Sequence, residues 1–178
     1  YLWALANRGA MYRLQGKYEE ALSDFNRAIE IDPEDDWVLA ERGKVYLEMD
    51  AVKKAKLSFQ EAIRIDDKED WGYYLLHLCS LKLDEESEDH LNQAIALSQE
   101  SLEKDENDHP VRLHLALYQL VKGGYDTAQK VVGEALEKGA NHNDLNDFLE
   151  DLQFFLKLFP DTKPVQQMLE WAEEKKKA

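Results

Sequence analysis

The sequence predicts an all-α fold, an α-α superhelix of about four helical hairpins closed by a C-terminal helix pair, and three observations predict it. Trp3, Trp37 and Trp71 fall 34 residues apart. Gly9 and Gly43, Tyr12 and Tyr46, Ala21 and Ala55, Phe25 and Phe59, and Ala28 and Ala62 keep the same spacing, and so many matches in one register mark an internal repeat. Within each unit apolar residues recur at helical spacing, as in Leu5, Tyr12 and Leu14 and then Ala21, Leu22, Phe25, Ala28 and Ile29, giving two helices per repeat.

Each element follows in order. Gln15-Gly16-Lys17 ends the first helix, because glycine takes the positive φ that a helix C-terminus needs. Ile31-Asp32-Pro33-Glu34-Asp35 stops the second, since proline lacks an amide donor and clashes with the preceding turn. Asp35 or Asp36 then caps the next helix. Small side chains at Gly9, Ala21 and Ala28 allow a close helix crossing, with Tyr12 and Phe25 filling the space on either side.

These residues, with Pro33, resemble the tetratricopeptide repeat signature of small, aromatic, alanine, aromatic, alanine and proline positions. On that resemblance, repeat 1 spans residues 2–35 and repeat 2 spans 36–69 of a single domain covering 1–178. Repeat 3, residues 70–108, is degenerate: His77 and Ser80 replace the glycine and tyrosine, and about five extra residues enter its turn around Asp84-Glu85-Glu86-Ser87-Glu88-Asp89. That acidic run reads as a solvated loop, with the second helix resuming at His90 and running to Lys104. Repeat 4, residues 109–142, recovers the pattern with Ala116, Gly123-Gly124-Tyr125, Ala128, Val132 and Ala135. Residues 143–178 read as two capping helices, the first stopped by Phe159-Pro160, because a terminal repeat must turn a polar face to water.

Composition narrows the function. The chain has 178 residues, 22 basic and 37 acidic, for a net charge of −15, which opposes nucleic acid and anionic membrane surfaces as partners. Residues 70–108 hold 2 basic and 11 acidic side chains, so this stretch is the acidic one. The single cysteine, Cys79, excludes a disulfide framework and fits a reducing compartment. No apolar run reaches the roughly 18 residues of a membrane span, and no signal peptide opens the chain, so a cytoplasmic location is expected. The start at Tyr1, already inside a helical pattern, suggests a piece of a longer protein.

No catalytic constellation emerges, so an enzyme is not expected. The five histidines show no i,i+4 pairing and no cysteine companion, which gives no metal site, and no cofactor motif is present.

The resemblance supplies the candidate binding face. In the family the first helix of each hairpin lines a concave groove, and its groove positions correspond here to Trp3, Ala6, Asn7, Ala10 and Arg13, then Trp37, Ala40, Glu41, Lys44 and Leu47. The third and fourth repeats would supply Trp71, Tyr74, Leu75 and Leu78, then Leu113, His114, Leu117 and Leu120, apolar positions that either meet a ligand or are covered by the C-terminal helices folding across them. The three tryptophans either anchor a ligand or seal the joints between repeats. The family's lysine and asparagine clamp for chaperone tails is missing, since Ala6 and Ala10 stand at its positions in repeat 1. The resemblance therefore implies a scaffold that binds a peptide or helix of a partner protein, a basic one suiting the charge. The Asp36-Trp37 and Asp70-Trp71 junctions also look like the repeat arrays of bacterial nucleotide-binding signalling proteins, which implies a sensor segment as one alternative. Self-association of a structural module is another.

Overall fold

The computed structural model describes residues 1–86 and 88–177, and among them the chain forms ten α-helices and no strand. Two compact units, Tyr1–His90 and Leu91–Ala178, divide it. The first unit holds α1 (Leu2–Leu14), α2 (Tyr18–Ile31), α3 (Asp36–Glu48), α4 (Val52–Ile65) and α5 (Asp70–Leu83). The second holds most of α6 (Glu88–Lys104), then α7 (His109–Val121), α8 (Tyr125–Glu137), α9 (His142–Leu158) and α10 (Lys163–Lys177).

In the first unit every helix packs against the next, and α1 meets α3 as α3 meets α5, so the first helices of successive hairpins lie side by side. The crossings are close because of the glycines. A Cβ built on Gly9 would sit 3.0 Å from Cε1 of Phe25, and one on Gly43 would run into Cε1 of Phe59. Both phenylalanines are fully buried, and each contributes on the order of 2–3 kcal/mol by leaving water.

The turns repeat at the backbone level even where the sequence does not. Gly16 (φ 73°), Asp50 (φ 58°) and Asp84 (φ 54°) all adopt the left-handed conformation, 34 residues apart. In each turn the following amide closes back on the helix: Lys17 N–H donates to Tyr12 C=O at 2.9 Å, Ala51 to Tyr46 at 2.8 Å, and Glu85 to Ser80 at 2.9 Å. The next such residue is Gly123 (φ 98°), 39 residues on, so the insertion of the third repeat falls after its left-handed residue. The acidic run is accordingly not a loop throughout. Glu88 and Asp89 form the first turn of α6, where the helix dipole favours negative charge, and the helix starts two residues before His90. Ser87 lies outside the described residues.

Side-chain caps mark the starts of α3, α7 and α9. Asp35, rather than Asp36, caps α3, its Oδ1 accepting Val38 N–H at 3.0 Å. Asp108 does the same for α7 through Val111 N–H at 3.1 Å, and Asn141 caps α9 with Asp144 bonding back to the Asn141 amide at 2.7 Å.

In the second unit α7 packs on α8 and α9 on α10, but α9 also lies against α7, while α10 reaches both α7 and α8. Leu113, Leu117 and Leu120 of α7 are buried, as are Phe148, Leu152 and Phe155 of α9. The leucines that sequence reasoning placed on a groove thus sit in a unit whose own C-terminal helices pack on their helix.

Candidate functional site

The indoles at the shared repeat position stand near the N-terminal ends of α1, α3 and α5. Trp3 is 78% exposed and Trp37 is 46% exposed, a large apolar area to leave in water at one register position. Trp71 is partly buried, with its ring centroid 5.0 Å from that of Tyr74 and the Lys44 ammonium 5.8 Å from the indole centroid. Trp37 and Trp71 border one cleft of about 160 Å³, together with Ala40, Ala62, Ile63 and Gly72 and the acidic Asp36, Asp66 and Glu69. The Trp37 indole, nearly half exposed, thus borders a cleft at the joint between the second and third hairpins.

Further along the same helices the candidates are buried charges. Arg13 on α1 reaches two residues of α3, donating from Nε to Glu41 Oε2 at 3.2 Å and from Nη1 to Glu48 Oε1 at 2.6 Å. Lys44 Nζ completes the group at 2.6 Å from Glu41 Oε1. Burial opposes the charge on Glu41, but Lys44 and Arg13 outweigh it and hold the carboxyl below its ordinary range. Burial likewise opposes the Arg13 charge, and Glu41 and Glu48 overcome it. The group ties the first hairpin to the second, and the Lys44 ammonium that belongs to it also lies over the Trp71 ring.

The remaining candidates divide by burial. Asn7 is half-buried and donates from Nδ2 to the Trp3 carbonyl at 2.8 Å, a bond within its own helix. Tyr74 and Leu78 on α5, and Leu113 and Leu117 on α7, are fully or almost fully closed to solvent and serve as packing. His114 is half-buried, its ring 6.1 Å from that of Tyr118. The Cys79 thiol is pushed up to about 12 by burial, which leaves it no thiolate for chemistry near neutrality.

Sequence reasoning missed the ion group's fourth member, Glu48, and the paired arginines on the opposite side of the first helices. Arg8 grips the buried Asp24 with two bonds of 2.6 and 2.7 Å. Arg42, 34 residues on, donates to Ser58 at 3.1 Å and to Glu61 at 3.0 Å. The signal was the repeat spacing of the arginines, whose partner changes from aspartate to serine one repeat later.

A model of the tetratricopeptide repeat matches residues 2–35, and a second matches residues 38–69. Residues 2–35 and 38–69 are therefore two tetratricopeptide repeats. Among solved structures the chain is similar to TTC0263, a thermophilic tetratricopeptide-repeat protein of Thermus thermophilus, at 18% identity and a TM-score of 0.60, covering 97% of this chain and 98% of that one. It is also similar to a tetratricopeptide-repeat protein from Parabacteroides merdae, at 19% identity and a TM-score of 0.52, over 95% of this chain and 64% of that one. At these identities the likeness is one of fold. Among curated proteins none matches the sequence. In tetratricopeptide terms, both matched repeats lie in the first unit, which also carries the three-indole row and the cleft. Among the described residues no helix is long and apolar enough to cross a membrane, and no group of three or more His, Cys, Asp or Glu could hold a metal ion.

Proposed function

We propose that this chain is a non-catalytic scaffold whose first unit binds an extended peptide or a helix of a partner protein along α1, α3 and α5. The observation that carries the reading is the exposure of Trp3 and Trp37 at one repeat position. Aromatic side chains held on rigid helices and left in water are the residues that dominate binding energy when a partner covers them. Trp71 and Asn7 extend the row, and the group of Arg13, Glu41 and Lys44 supports it from within by fixing the helices that present it. Tyr74, Leu78, Leu113, His114 and Leu117 contribute through packing. The net charge of −15 favours a basic segment, whose approach it would accelerate.

Selection of peptides displayed on phage, with the full chain as bait, tests this. Enriched sequences should carry Lys or Arg beside bulky apolar residues, bind less tightly as salt rises, and lose about 2 kcal/mol of affinity to Trp37→Ala. Failure to enrich any sequence over an unrelated bait, or unchanged binding by both Trp3→Ala and Trp37→Ala, would overturn it.

A further inference from the structure

The two junctions of the first unit share most of their residues and differ at three positions, where Leu2, Asp35 and Val38 of the first are replaced by Asp36, Glu69 and Gly72 in the second. Trp3, Ile29, Asp32 and Trp37 at the first correspond, 34 residues on, to Trp37, Ile63, Asp66 and Trp71 at the second. Where the first junction has Val38, whose side chain is fully buried, the second has Gly72. A Cβ at Gly72 would lie 2.7 Å from Cγ1 of Ile63, so α5 approaches α4 more closely than a side chain would permit. The cleft of about 160 Å³ borders this glycine.

We propose that this cleft receives one basic side chain, lysine or arginine, from the partner segment, with the aliphatic stem against the indoles and the charged head among Asp36, Asp66 and Glu69. The assignment rests on the scaffold reading above and names the chemistry of one of its contacts. Size is the first argument: sites for small organic ligands enclose roughly 300–1,000 Å³, so this one suits a single side chain. Lining is the second. Ala40, Ala62, Ile63 and the two indoles offer an apolar wall for methylenes, and three carboxylates border it. Asp66 is fixed at the rim, its Oδ1 accepting the Lys68 backbone N–H at 2.9 Å. A neutral apolar side chain would strip water from these carboxylates without replacing it, and an acidic one would be repelled. A cation satisfies both the wall and the rim.

Lys44 fits within this scheme. Its ammonium already lies over the Trp71 ring, which shows that an indole here accepts a cation, and its charge is matched by Glu41 at 2.6 Å, so the cleft stays negative. Trp37, half exposed, is the second indole at the cleft.

The experiment follows the four indole N–H signals of the ¹⁵N-labelled full chain during titration with N-acetyl-lysine methylamide, its arginine counterpart, and N-acetyl-norleucine methylamide as the uncharged control. The signals of Trp37 and Trp71 should shift saturably with a basic compound while those of Trp3 and Trp171 stay. Norleucine should bind about tenfold more weakly, and Asp66→Asn with Glu69→Gln should weaken the basic compounds several-fold without moving Trp3 or Trp171, a sign that the fold persists. Equal response to norleucine, a uniform shift of all four indoles, or no shift at all overturns the assignment. A phage-selected peptide that binds the double variant with wild-type affinity overturns the cleft assignment and leaves the scaffold standing; absence of any selected peptide removes the scaffold reading, with the titration still readable.

Discussion

At Gly43 the helices of the second hairpin meet with no room for a methyl group, whereas at Gly9 the equivalent contact, 3.0 Å to Phe25, is tight but yielding. Gly43→Ala is therefore expected to cost about 1–3 kcal/mol of overpacking, and Gly9→Ala clearly less, in urea unfolding of the two variants. Equal losses would mean that the crossings are not as described. The buried ion group makes a second residue-scale prediction. Because the folded-state pKa of Glu41 is depressed, its contribution is full above the unfolded carboxylate pKa and is lost as pH falls through the folded value. Glu41→Gln should cost about 3 kcal/mol at neutral pH, since it removes the buried carboxylate that both Arg13 and Lys44 bind, and should flatten the acid limb of stability against pH. A variant with an unchanged acid limb would show that Glu41 is not the group that titrates there. Such pairing was not legible in the sequence: Arg13, Glu41 and Lys44 read as separate groove positions and Glu48 as none, until the packing of α1 on α3 brings the four together.

The helix turns show how far local signals reach at the scale of the element. Gly16 announced its left-handed turn by being glycine, but Asp50 and Asp84 adopt the same conformation, and only the 34-residue spacing pointed to them. Aspartate tolerates that region better than most residues, so the backbone kept the turn while the sequence drifted. With nothing within 4 Å of the position where its Cβ would be, Gly16→Ala isolates the backbone cost. It should lower stability by about 1 kcal/mol, while Asp50→Asn should be nearly neutral in the same thermal melts. A neutral Gly16→Ala would place the turn's specificity elsewhere. The start of α6 was less legible, because Glu88 and Asp89 resemble loop residues by composition yet suit a first helical turn by charge.

For the whole chain, the repeat was plain in residues 2–69, where the aromatic, small and proline positions recur together, and it faded afterwards. The fold of the second unit depends on α9 lying against α7, a pairing that the apolar positions of α7 suggested as one of two readings and that the repeat spacing alone could not decide. Leu152→Ala, at a fully buried position of α9, is expected to cost about 2–5 kcal/mol and to raise the binding of a dye that reports exposed apolar surface. Neither change would be seen if α9 were a loosely attached tail. Charge was legible as a total, while the cleft that concentrates it at Asp36, Asp66 and Glu69 required the packing of α3, α4 and α5.

The row of indoles as the contact surface is tested most directly by photo-crosslinking of a phage-selected peptide to the full chain. A benzoylphenylalanine is placed in turn at Trp3, at Glu19 on α2 and at Lys53 on α4, all three exposed positions. Crosslinks from position 3, with little or none from positions 19 and 53, are the expected result. Crosslinks concentrated at 19 or 53, with position 3 silent, would contradict it.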